Sequence, residues 1–230
     1  MTPAKREEFF RLLARAMPDP KSELEYTTPF ELLVAVVLSA QATDKGVNVA
    51  TRKLYPVANT PAKIAALGVE GLEGYIKTIG LYRGKAKNVV ALSKILLEKH
   101  GGEVPRTRED LEALPGVGRK TANVVLNVAF GESTMAVDTH VFRVANRTGL
   151  APGKNPLEVE LKLLKVTPPR YLLNAHHYLI LHGRYTCLAK KPLCAKCPVF
   201  GPCEFKEKKK YVKEAEAPAK KAKLPKGRDV

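Results

Sequence analysis

The chain has 230 residues, is 45% hydrophobic, and carries 39 Lys+Arg against 23 Asp+Glu for a formal charge of +16. That length and apolar content suit one large or two small packed domains and exclude a wholly solvated chain. The basic excess points to a polyanion, with nucleic acid the default partner.

The first predicted helix, AKREEFFRLLARAM, breaks its apolar positions with Arg11 and Arg15, so it has no apolar core of a secretion signal. Thr28-Pro29-Phe30-Glu31 then places a capping residue, a proline at the first helical position and a glutamate three after the cap. The run behind it, FELLVAVVLSA (30–40), is apolar on nearly every side and reads as a central buried helix. It is too short to span a bilayer, so the expectation is a cytoplasmic protein with no membrane contact. Thr60-Pro61 opens a short helix closed by Gly68, and a further helix covers Ala86 to His100 before Gly101-Gly102. Thr107-Arg108-Glu109-Asp110 resembles a capping box before Leu111 and Leu114. Helices follow over 119–130, 139–148, 156–166 and 171–186, and no strand alternation is found. The fold class is all-α. From Lys206 the chain holds 10 basic and 4 acidic residues, with alanine as its main apolar residue. The last part, 212–230, reads as a basic disordered tail. The rest, with 29 basic and 19 acidic residues, still carries +10.

Between two of these helices lies LPGVGRKTA (114–122). Gly116 and Gly118 permit a tight turn and a close backbone approach, and Val117 would fill the crook between the helices. Their N–H groups, with the positive end of the next helix, make a site for a phosphate oxygen that is blind to sequence. An ordinary helix connection would carry the same glycines.

All four cysteines fall within 17 residues: Cys187, Cys194, Cys197 and Cys203, spaced C-x6-C-x2-C-x5-C. In a reducing compartment they point to a metal site rather than to two disulfides. Four thiolates at this spacing suit either a tetrahedral zinc or an iron–sulfur cluster. Between the first two, Lys190 and Lys191 form either a phosphate contact or a solvated face.

LPGVGRKTA resembles the helix-hairpin-helix of the HhH-GPD DNA glycosylases. In that superfamily a Gly/Pro-rich stretch and an essential aspartate follow the hairpin; GESTMAVDTHVFRVANRTG (131–149) has the glycine and the aspartate, with no proline between them. VVLSAQATD (36–44), TIGLYRGKA (78–86), HGRYTC (182–187) and the cysteine spacing are similar to the endonuclease III family, from about residue 5 to 211. The resemblance implies two helical domains with DNA in the groove between them. One, holding the hairpin, would span 22–132, and the other, holding a [4Fe–4S] cluster on the four cysteines, would join 1–21 to 133–211. It also implies a monomer acting on double-stranded DNA that contains damaged pyrimidines or abasic sites. The activity would be removal of oxidised pyrimidines followed by cleavage of the strand by β-elimination.

In that reading Lys120 is the nucleophile. A neutral amine attacks the sugar C1′, expels the base and forms a Schiff base. An ordinary lysine, with a pKa of about 10.4, is almost wholly protonated at pH 7. A helix start, neighbouring Arg119 and a water-poor pocket would each disfavour the ammonium. A bare phosphate contact is the plainer role for the same residue. Asp138 can return to it: a helix over 119–130 is about 18 Å long, and seven extended residues span about 23 Å. Its carboxylate could stabilise charge on the sugar, cap helix 139–148, or do both. Gln41 and Leu81 match the residues that fill the gap left by an extruded nucleotide, although an apolar residue on a glycine turn is also a common minor anchor. Ser39, Asp44, Thr139 and His140 are expected to line the pocket. His176, His177 and His182 read as packing or hydrogen-bonding residues. Two rivals remain. An adenine glycosylase of the same superfamily lacks the lysine and continues into a further domain; a non-enzymatic DNA-binding protein would use the hairpin and a zinc knot.

Overall fold

A computed structural model describes residues 1–216. Eleven α-helices and one 3₁₀ turn make up the regular structure of those residues, which include no strand. The helices are α1 Pro3–Ala16, α2 Pro29–Leu38, α3 Asp44–Leu54, α4 Pro61–Ile76, α5 Tyr82–Lys99, α6 Arg108–Glu112, α7 Arg119–Phe130, α8 Thr139–Thr148, α9 Pro156–Val166, α10 Pro169–Tyr185 and α11 Lys208–Glu216. None is long and apolar enough to cross a membrane.

Local chemistry sets most of the starts. Thr28 Oγ1 accepts from the Glu31 N–H, with Pro29 at the first position. Glu31 then reaches back past the cap to accept from the Thr27 N–H at 2.6 Å, one residue earlier than a standard capping box. Thr43, Thr60, Thr107 and Asn155 cap α3, α4, α6 and α9 in the same way. At Gly68 the backbone turns to φ 70°, ψ 179°, so the expected helix stop is a kink, after which α4 runs on to Ile76. α5 starts four residues earlier than expected, at Tyr82. α11 is helical through Glu216, five residues into the stretch read as a disordered tail. No residue of α11 is buried, and the remainder of that stretch, 217–230, lies outside the described residues.

The buried apolar side chains form two groups. One gathers α2 to α7, with α2 buried from Phe30 to Leu38 at its centre. The other joins Phe9, Phe10 and Leu13 of α1 to α8, α9 and α10. The segment 131–138 runs between them: Ala136 packs into the first group, Met135 and Val137 into the second. Polar clasps also cross the seam. Arg119 of α7 grips Glu160 of α9, and Arg184 of α10 pairs with both Glu23 and Asp44.

Candidate active site

The hairpin turn has two dissimilar glycines. Gly116 sits at φ +80°, and an added Cβ would stand 2.9 Å from Asn88 Nδ2, so both conformation and space demand glycine. Gly118, at φ −99°, has nothing within 4 Å of such a Cβ. There α7 begins with no side-chain cap on its first N–H groups, and a Cβ would stand in open space. Val117 is buried in the crook, as expected.

Past that turn a cavity of about 640 Å³ opens along the seam. Seven of the residues picked out in the sequence line it: Ser39, Gln41, Asp44, Lys120, Asp138, Thr139 and His140. Its size lies within the usual range of about 300–1,000 Å³ for ligand sites. Lys120 enters from the first turn of α7 and Asp138 from the start of α8. Burial lowers the Lys120 pKa below its ordinary value; the carboxylates of Asp138 and Asp44 oppose the shift, and Arg184 adds to it. Arg119 takes no part. Its guanidinium is turned away onto Glu160, with Nε and Nη2 2.9 and 2.8 Å from the two carboxylate oxygens. The expectation that Arg119 would help deprotonate Lys120 is therefore corrected: the nearby cation is Arg184.

Asp138 does cap α8. Its Oδ1 accepts from the N–H groups of His140 and Val141, each at 2.8 Å, while Oδ2 has no hydrogen bond among the described residues. One carboxylate oxygen is thus structural and the other is available for chemistry. Arg143 Nη2 lies 3.1 Å from His140 Nδ1. A guanidinium only donates, so that nitrogen accepts and the His140 ring proton sits on Nε2.

Gln41 and Leu81 lie in different turns yet share one feature. They are the two non-glycine residues with positive φ among those described, at 54° and 60°. Such conformations cost about 1–3 kcal/mol and gather at functional sites. The turns face each other: a Cβ on Gly80 would stand 3.8 Å from the Gln41 carbonyl oxygen. Leu81 is 66% exposed, which removes the reading of it as a core anchor. It does not line the cavity, nor do Gly116, Val117 or Gly118.

At the far end of α8, Cys187 and Cys194 are buried and Cys197 and Cys203 half-buried, and none of the four is in a disulfide. Burial raises the thiols of Cys194, Cys203 and Cys197, the last to about 12, and each also feels the charge of Cys187. Among the described residues no three His, Cys, Asp or Glu side chains are gathered as they would be around a single ion. Four thiols on one loop are a donor set for either a tetrahedral zinc or an iron–sulfur cluster. Cations offset that charge: Arg147 Nη1 is 3.6 Å from Cys187 Sγ, and Lys208 donates to the carbonyls of Phe200 and Cys203. Arg143 and Arg147 also hold the carbonyls of residues 183, 187, 188 and 189, which fixes the loop to α8. Lys190 and Lys191 stand exposed on that loop, away from the cavity.

Arg184, His176 and His177 also line the cavity, without a signal in the sequence to place them there. They come from α10, distant in sequence from Lys120, and carry no local motif.

A helical hairpin beside an amine-bearing cavity defines the class, and the comparisons agree. The model of the HhH-GPD superfamily base excision DNA repair proteins matches residues 34–169. Endonuclease III of Escherichia coli (strain K12) is 62% identical over 208 residues, covering 90% of this chain and 99% of its own. Endonuclease III of Haemophilus influenzae is 60% identical over 211 residues, covering 92% and 100%. A solved endonuclease III trapped as a covalent intermediate with DNA superposes with a TM-score of 0.85 at 46% identity, covering 91% of this chain and 98% of that one. The chain belongs to the endonuclease III family.

Proposed function

We propose that this chain removes oxidised pyrimidines from double-stranded DNA and then cuts the strand at the abasic site. The observation that carries the reading is Lys120: an amine whose charge burial disfavours, set in one cavity with Asp138. The covalent DNA intermediate of the endonuclease III relative supports it.

The steps follow from that pairing. The neutral Lys120 amine attacks C1′ of an extruded nucleotide, and the glycosidic bond breaks with its electron pair leaving on the base. The free oxygen of Asp138 faces the positive charge that grows on the sugar. The base leaves with a proton, and the sugar ring opens to an iminium on Lys120. Loss of a C2′ proton then expels the 3′ phosphate by β-elimination. Meanwhile Gln41 and Leu81 occupy the gap in the duplex. Backbone phosphates rest on the Gly116–Gly118 turn at the open end of α7, and on Lys190 and Lys191.

The chain forms domains of 22–132 and of 1–21 with 133–211, with the cavity between them; the two apolar groups support this division, with Ala136 reaching across to the first. The protein works as a monomer in the cytoplasm. Cys187, Cys194, Cys197 and Cys203 hold a [4Fe–4S] cluster, which when bound supplies a cross-link for a loop with little core of its own. The test is strand cleavage of a duplex with one oxidised pyrimidine. Wild type should cut it and Lys120→Ala should not; cleavage by Lys120→Ala at the wild-type rate would refute the reading.

A further inference from the structure

Asp138 owes its position to the segment before it. Residues 131–137 cross the seam without a strand partner, so their carbonyls need side-chain donors. Three are present. Asn127 Nδ2 donates to the Glu132 carbonyl at 2.8 Å, and Asn123 Nδ2 to the Met135 carbonyl at 3.2 Å. Both come from α7. The third comes from α10: His176 Nδ1 lies 2.8 Å from the Ala136 carbonyl oxygen, two residues ahead of Asp138.

A carbonyl only accepts, so His176 must carry its proton on Nδ1. The setting maintains that state. The ring is buried edge-on against His177, with centroids 5.2 Å apart, and burial, His177 and the nearby Lys120 hold its pKa down to about 3. His176 also lines the cavity that holds Lys120 and Asp138. Rotation of the 136–137 peptide would swing Asp138, because the carboxylate is otherwise held only by the first N–H groups of α8.

We propose that His176 is a positioning residue for Asp138: its Nδ1–H fixes the Ala136 carbonyl, and with it the line along which the carboxylate meets Lys120. The inference rests on the lysine–aspartate reading given above. Misplacing a reacting group by about 1 Å can cost about 100-fold in rate.

The test compares His176→Leu, which keeps the bulk without the donor, with His176→Asn, whose amide can donate from near the Nδ1 position. Single-turnover base excision from an oxidised-pyrimidine duplex should slow by about 10- to 100-fold in the leucine variant. Affinity for a duplex with an uncleavable abasic analogue should not change, and asparagine should recover most of the rate. In an Asp138→Asn background His176→Leu should add little further loss. Equal impairment of the two variants, or a loss that multiplies with Asp138→Asn, would overturn the clamp. So would wild-type rates in His176→Leu while Asp138→Asn is slow, and that result would leave the lysine–aspartate reading standing. If neither Lys120→Ala nor Asp138→Asn slows excision, the reading beneath falls and the clamp falls with it. Should His176→Leu fail to fold, nitrogen-15 NMR of histidine-labelled wild type decides: an Nδ1–H tautomer between pH 5 and 8 is expected, and an Nε2–H tautomer would overturn the proposal.

Discussion

Replacing Leu81 by glycine should make the protein more stable and less active. Leu81 caps α5 at φ 60°, ψ 25°, a left-handed conformation, with 66% of its surface exposed. Holding a leucine there costs about 1–2 kcal/mol. Glycine removes that strain but adds chain entropy to the unfolded state, about 0.5–1 kcal/mol against the fold. The little apolar burial lost is a small further cost, so the central values leave a net gain of about 0.5 kcal/mol. For a chain of this size that raises the Tm by about 1–2 °C. Leu81→Ala keeps the strain and should leave Tm nearly unchanged. Both variants lose the side chain that fills the stack, where extrusion of a nucleotide costs a few kcal/mol. Losing about 1.4–2.8 kcal/mol of that support slows excision 10- to 100-fold. Thermal melts beside single-turnover excision measure both. A glycine variant with a lower Tm and wild-type excision would mean that Leu81 is a packing anchor and the strain argument is wrong.

At the hairpin, Gly116→Ala should cost about 2 kcal/mol or more in chemical unfolding, since φ +80° and Asn88 both oppose a Cβ. Gly118→Ala meets no atom within 4 Å, so it should leave stability almost unchanged while weakening DNA binding measured by anisotropy. Arg119→Ala strands the buried Glu160 carboxylate. The loss should be about 2 kcal/mol in chemical unfolding, below the range for fully buried pairs because Arg119 is part-exposed, with excision retained. Acid should destabilise the fold through His176 and His182, whose pKa values burial lowers to about 3 and about 4. The unfolded chain binds those protons first, so stability is full above pH 6.5 and falls toward the folded values. At pH 5 each ring costs about 2 kcal/mol, and unfolding curves that match between pH 7 and pH 5 would contradict their neutrality.

Caps and punctuation made much of the fold legible. Thr28-Pro29, Thr60-Pro61 and Gly131 carry their meaning in the side chain or the φ they allow, and α7, α8 and α9 fall where the periodicity placed them. α3 escaped because Gly46 breaks its first turn and its buried Val47, Ala50 and Leu54 are sparse. The start of α5 escaped because a left-handed leucine is no capping signal. The reactive pair could be read because Lys120 and Asp138 flank one helix and its return loop. Arg184 and His176 could not, because only the packing of α10 on α8 brings them to the cavity. Arg119 misled, since a neighbour in sequence was assigned an effect that its pairing with Glu160 cancels.

The proposed chemistry depends on a bond between Lys120 and deoxyribose. Borohydride reduction of wild type with abasic duplex, followed by digestion and mass spectrometry, locates that bond. A single adduct is expected on the peptide carrying Lys120, absent from Lys120→Ala. An adduct on another residue, or none from an enzyme that still cleaves the duplex, would contradict it.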